Sequence, residues 1–184
     1  EQKEREKRLV FPEDVSEIKN ISYLDDGDRA HRLDIYRPEK AGNKKLPVII
    51  NVHGGGLILG SKEFNKYFCA NLCKLGYVVF SVEYRLVPDC TFYDQCEDVS
   101  RAFDFIGKII QKYDGDKEKI FAAGDSGGAC LLTYTAAMMK CRPLAKAAKV
   151  KASAIDIKAL GLISGMFYTN RFDKLGQLCQ ICKS

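Results

Sequence analysis

The stretch LPVIINVHGGG, Leu46 to Gly56, constrains the fold of this chain more than any other. Val48 to Val52 is an almost continuous run of β-branched residues, interrupted only by Asn51. A strand with one wet face alternates apolar and polar residues. A continuous run marks a strand covered on both faces, which is the habit of parallel sheets flanked by helices. The chain downstream of Gly56 keeps to that plan. EFNKYFCANLCKLG sets Phe64, Tyr67, Phe68, Leu72 and Leu75 at helical spacing and closes on Gly76. YVVFSVEYRL is a second buried strand. DQCEDVSRAFDFIGKIIQKY is an amphipathic helix with Val99, Ala102, Phe103, Ile106, Ile109 and Ile110 on one face. KIFAAG is a third strand, Ala129 to Met139 an apolar helix, and KALGLISGMF a further strand.

Ahead of this alternation lie two strand-like runs, SEIKNISYL and HRLDIYRP, joined by the turn residues DDGD. They predict an antiparallel hairpin. The expectation is therefore an α/β chain: a mostly parallel sheet with an N-terminal antiparallel hairpin and helices on both faces. At 184 residues, 46% of them hydrophobic, residues 1–184 read as one domain. The opening EQKEREKRLVF predicts a short leading or cap helix over residues 1–12.

Composition removes several classes of function. The formal net charge is +5, and acids interleave with the bases, so no nucleic-acid footprint is expected. No run approaches the roughly 18 apolar residues of a membrane span. The charged N-terminus does not read as a signal peptide, and a cytoplasmic location is expected. The eight cysteines mostly fall within apolar periodic segments, where a thiol behaves as a small hydrophobe. Cys179 and Cys182 form a lone Cys-x-x-Cys with no second pair to complete a four-ligand zinc site, so neither a metal nor any other cofactor is expected.

The chemistry-bearing stretch is FAAGDSGGAC, Phe121 to Cys130. Gly-Asp-Ser-Gly-Gly occurs in trypsin-like proteases, and it also satisfies the Gly-x-Ser-x-Gly elbow of α/β-hydrolases. The protease reading needs an all-β chain and would make His53 the base, yet His53 ends a buried strand here. The elbow reading needs a strand, a strained turn and a helix, and KIFAAG–GDSGG–ACLLTYTAAMM supplies all three. Ser126 is then the candidate nucleophile at a helix N-terminus, where the dipole and free N–H groups favour developing negative charge. Gly124 and Gly128 flank it because a Cβ at either position would clash with the adjoining strand or helix. Upstream, His53-Gly54-Gly55-Gly56 closes a strand in a loop whose N–H groups can face a carbonyl oxygen. The candidate oxyanion hole is Gly55, Gly56 and Gly127, with His53, Gly54 and Asp125 as supporting motif residues.

These motifs, together with EYRLVPD (Glu83–Asp89) and CEDV (Cys96–Val99), resemble the hormone-sensitive-lipase-like α/β-hydrolases, a family of carboxylesterases. The likeness runs from about Leu33 to Phe167. Two departures stand out. Gly127-Gly128-Ala129 replaces the family's usual Ala-Gly-Gly, and the two acids of its Asp-Tyr-Arg-Leu-Ala-Pro-Glu are exchanged, as Glu83 and Asp89. The resemblance implies hydrolysis of small acyl esters, with an acid and a histidine following the last strand. No histidine follows Ser126; the two in the chain are His31 and His53. By resemblance His53 belongs to the oxyanion loop, and His31 is expected at the surface of the hairpin. Asp173 is a candidate triad acid with no histidine to orient. Two expectations stand side by side: the N-terminal part of a longer esterase whose last strands are missing, or a catalytically dead protein of the same fold that binds a ligand or partner. In either case an unpaired apolar sheet edge is expected, open to self-association.

Overall fold

A computed structural model describes residues 10–40, 42, 44–165 and 167. Six strands form one sheet: β1 (Val15–Ser22), β2 (Arg32–Pro38), β3 (Leu46–Val52), β4 (Val78–Val82), β5 (Gly115–Asp125) and β6 (Ile157–Ile163). Their spatial order is β1-β2-β4-β3-β5-β6. β1 pairs antiparallel with β2, and β2 antiparallel with β4. The β4-β3-β5-β6 half is parallel throughout. The expected hairpin and mostly parallel sheet are both present.

Side-chain alternation divides the core between the two faces of this sheet. Val48, Ile50 and Val52 of β3 and Val78, Phe80 and Val82 of β4 point to one face. There they meet Val99, Phe103 and Ile106 of α2 (Phe92–Ile109) and Leu131 and Leu132 of α3 (Ser126–Lys140). Each such fully buried side chain contributes roughly 1.5–3 kcal/mol of hydrophobic stabilisation. α2 starts in a capping box: Thr91 Oγ accepts from the Asp94 N–H at 3.2 Å, and the Thr91 N–H donates to Asp94 Oδ2 at 2.8 Å.

The opposite face is thinner. Ile49 and Val79 pack with Tyr36 and Val15 under α1 (Lys66–Lys74), which buries Cys69, Ala70 and Cys73. This corrects the expected orientation of α1. Phe64, just before the helix, with Phe68 and Leu75, points outward at 64%, 39% and 75% exposure. The small thiol and methyl groups let the helix axis lie close to the sheet, where bulky rings would hold it away. A short helix that periodicity does not announce, α4 (Arg142–Ala148), follows α3 and begins with proline in its first turn. α3 starts at Ser126, three residues earlier than its apolar pattern suggests. Of the leading or cap helix expected over residues 1–12, residues 10–12 are described and are not helical, and the rest lies outside the described residues, as do Asp173, Cys179 and Cys182.

Candidate active site

The sheet delivers two glycine-rich turns to neighbouring strand ends. β3 and β5 pair in register from Val48↔Ile120 to Val52↔Gly124, so the turn after Val52 and the turn after Asp125 emerge side by side. Ser126 sits at the second turn with φ +47°, in the left-handed region. A non-glycine residue held there costs roughly 1–3 kcal/mol, borne by the surrounding packing. The packing leaves no room for alternatives. A Cβ on Gly124 would stand 2.8 Å from the Gly128 carbonyl carbon, and one on Gly128 2.2 Å from the Val52 carbonyl oxygen. Both flanking glycines are thus required by backbone-on-backbone contact. Among the described residues, the Ser126 hydroxyl makes no hydrogen bond.

The first turn folds over the start of α3. Gly55 has φ +123° and Gly56 φ +63°, angles that glycine adopts without strain. A methyl on Gly127 would stand 3.1 Å from Leu57 N and 3.2 Å from Gly56 N, so the loop amides lie directly against the first turn of the helix. The Gly127 N–H lies in that first turn, where helical geometry provides no intrahelical acceptor. Gly55, Gly56, Gly127 and Ser126, all anticipated from sequence, are brought together. Leu57, which was not anticipated, joins them with φ +73°.

Several side chains hold this arrangement. Asp125 Oδ1 accepts from the Gly54 N–H at 3.0 Å and from Asn65 Nδ2 at 2.8 Å, tying the elbow to the glycine loop. The Tyr84 hydroxyl donates to the His53 carbonyl at 2.8 Å, and burial pushes that hydroxyl far above its usual range, keeping it a donor. Gln95 Nε2 donates to the Leu57 and Arg85 carbonyls at 2.9 and 2.8 Å, fastening the far side of the loop to α2. Asn65, Tyr84 and Gln95 escape a reading of the sequence, since a lone amide or phenol on a helix or strand end carries no motif.

Neither histidine faces the serine as a free base. His53 is fully buried, stacked on Tyr84 with ring centroids 4.4 Å apart, and engaged at both nitrogens. Nδ1 lies 2.7 Å from the Gly54 carbonyl and Nε2 2.7 Å from Glu83 Oε1. His31 is not at the surface as expected. It is 6% exposed, with Nδ1 2.6 Å from Asp26 and Nε2 3.2 Å from the buried Asp98. The cause is Asp98, which takes a bidentate pair from Arg85 and draws the imidazole inward as a further donor. Hydrogen bonding to Asp98 holds the Arg85 guanidinium even more firmly charged than usual.

The six described cysteines are all thiols. Cys69, Cys73, Cys96 and Cys130 are buried, and burial pushes the first three up to about 12, far from nucleophilic use. Among the described residues, no group of three His, Cys, Asp or Glu side chains could hold a metal ion. Among them too, no helix is long and apolar enough to cross a membrane.

Residues 33–165 match the family model described as BD-FAE. The probable isoprenylcysteine alpha-carbonyl methylesterase ICMEL1 of Oryza sativa subsp. japonica is 36% identical over 106 residues, covering 57% of this chain and 24% of that protein. Esterase LipQ of Mycobacterium tuberculosis is 34% identical over 112 residues, covering 60% of this chain and 27% of its own. The chain thus spans about a quarter of the length of these curated relatives. Among solved structures, esterase B of Lactobacillus rhamnosis, inhibited by a tributyrin phosphonate, superposes with a TM-score of 0.87 at 23% identity, covering 98% of this chain and 58% of that one. The esterase of Pyrobaculum calidifontis superposes with a TM-score of 0.59 at 32% identity, covering 80% and 44% respectively. The mixed sheet with its flanking helices is an α/β-hydrolase fold.

Proposed function

The chain belongs to the BD-FAE family, among the hormone-sensitive-lipase-like carboxylesterases, and from that premise we propose that it carries the nucleophile half of a serine carboxylesterase site acting on small acyl esters. Ser126 Oγ attacks the ester carbonyl and gives up its proton to a base, while the Gly55, Gly56 and Gly127 N–H groups receive the oxyanion. The tetrahedral intermediate collapses to an acyl-serine as the ester C–O bond breaks and the alcohol leaves with that proton. Water then hydrolyses the acyl-serine, releasing the acid and restoring the serine hydroxyl. The observation that carries this reading is the strained Ser126, φ +47°, at the start of α3, with the loop amides packed against Gly127. Removal of a single oxyanion donor typically costs about 10²–10³ in rate, so such an arrangement accounts for a large share of catalysis.

A serine hydroxyl is a weak nucleophile without a positioned base. In this sequence no histidine follows Ser126, and His31 and His53 have both ring nitrogens occupied. Rapid turnover therefore needs a base that neither histidine supplies, and the chain on its own is expected to turn over weakly. The occupied histidines also favour a second reading, in which the same site binds a ligand or partner without chemistry. A fluorophosphonate probe separates the two. Covalent labelling of the wild type that disappears in Ser126→Ala supports the esterase reading. Absence of labelling, with a measurable affinity for a small ester, supports the binding module.

The reading extends to surroundings and partners. The six described cysteines are thiols, which suits a reducing compartment, and we propose a cytoplasmic location. β6 ends the sheet among the described residues and exposes Leu162 and Ile163 at 37% and 47%, which supports self-association through this edge.

A further inference from the structure

The loop His53–Lys62 begins and ends on one carboxylate. Glu83, just past the end of β4, accepts from His53 Nε2 at 2.7 Å through Oε1 and from the Lys62 N–H at 3.0 Å through Oε2. The Tyr84 N–H adds a longer contact, 3.3 Å, to Oε1. The Lys62 and Tyr84 N–H groups can only donate, so both oxygens of Glu83 act there as acceptors. The other nitrogen of His53 then faces a second acceptor, the Gly54 carbonyl, at 2.7 Å. An imidazole between two acceptors satisfies both only by donating from both nitrogens.

This has a directional result. A trans peptide is planar, with its C=O and N–H pointing opposite ways. The His53–Gly54 peptide is pinned at each end, its oxygen by the Tyr84 hydroxyl and its N–H by Asp125. The Gly54–Gly55 peptide is pinned at its oxygen alone, by His53 Nδ1. Its N–H, on Gly55, is therefore aimed away from the imidazole.

We infer that Glu83 is a positioning residue for the oxyanion hole: it holds His53 as a donor at both nitrogens, and His53 in turn fixes the direction of the Gly55 N–H. Glutamate is the acid at one of the two exchanged positions in EYRLVPD. Its two carboxylate oxygens span His53 and Lys62, so a single side chain closes both ends of the glycine loop. The inference deepens the esterase reading, and rests on it only for its kinetic consequence.

The test uses the full chain labelled uniformly with ¹⁵N. With two histidines, the spectrum contains two rings. His53 is expected to show protons on both ring nitrogens at neutral pH. In Glu83→Gln one of them is lost and the Gly55 amide resonance moves, while the His31 ring is unchanged. Fluorophosphonate labelling slows about 10-fold or more in the same variant, in line with the displacement of one oxyanion donor. A wild-type His53 ring with an unprotonated Nδ1 overturns the inference whatever the variant does, including a variant that fails to fold. So does a folded Glu83→Gln with an unmoved Gly55 amide or an unchanged labelling rate. If the wild type does not label at all, the esterase reading falls, while the ring and the Gly55 amide still decide the clamp.

Discussion

Two regions on the parallel half of the sheet contrast sharply. The loop after β3 is irregular in conformation, yet it is tied at both ends and in its middle: His53 on Glu83, Gly54 on Asp125, the Leu57 carbonyl on Gln95 and the Lys62 N–H on Glu83. β6, two strands away, is regular, yet all of its residues are at least partly open to solvent and its outer apolar side chains meet water. Order in a fold does not follow regular secondary structure. It follows satisfied polar groups and close packing, and here these are concentrated at the strand ends where Ser126 stands.

That contrast makes packing substitutions near the loop costly and those on β6 cheap. The largest effect belongs to Ser126→Ala, which abolishes fluorophosphonate labelling while leaving the thermal midpoint nearly unchanged; residual labelling at another residue would break the assignment. Next is Gly128→Ala, whose methyl would lie 2.2 Å from the Val52 carbonyl oxygen. A loss above about 4 kcal/mol, or failure to fold, is expected in urea titrations. Asp98→Asn removes the charge that Arg85 and His31 share and costs about 3 kcal/mol by the same measurement.

Further from the site, Thr91→Ala removes the α2 cap for about 1 kcal/mol. Its pH dependence has a definite sign. Hydrogen bonds from Thr91 hold the Asp94 carboxyl below its ordinary range, so the stabilisation is complete above that range and is lost as pH falls below it, through the depressed value of the folded state. The gap between wild type and Thr91→Ala should therefore narrow in acid, leaving the bond from the Asp94 N–H to Thr91 Oγ. Smallest in stability is Leu162→Lys on β6, within about 0.5 kcal/mol. Its signature is in sedimentation instead, as a shift toward monomer if the edge mediates self-association.

The architecture was readable because strand burial writes itself into composition. Val48 to Val52 and Val78 to Val82 announce strands covered on both faces, and Gly124 and Gly128 announce the elbow between β5 and α3. The orientation of α1 was not readable. Its phenylalanines advertise a core face, whereas the sheet accepts only its thinner Cys69–Ala70–Cys73 side. His31 was misplaced for a related reason: its burial depends on Asp98, 67 residues away, and a pairing at that separation leaves no local pattern. At the site the glycines were legible because the backbone demands them. Asn65, Tyr84 and Gln95 were not, since each acts by hydrogen bonding to a distant chain segment.

The glycines pressed between β3 and α3 also bear on how such a protein ages over generations. Gly124 and Gly128 are required for the backbone to close, whether or not any ester is ever cleaved. In a lineage that abandoned catalysis, purifying selection on folding alone would preserve them. The signature would outlive the chemistry. Ser126 is under no such protection, because its hydroxyl supports nothing else among the described residues. Of all the positions in the motif, the serine would be the first to erode in a silent descendant, and its presence is the part of the motif that speaks for use.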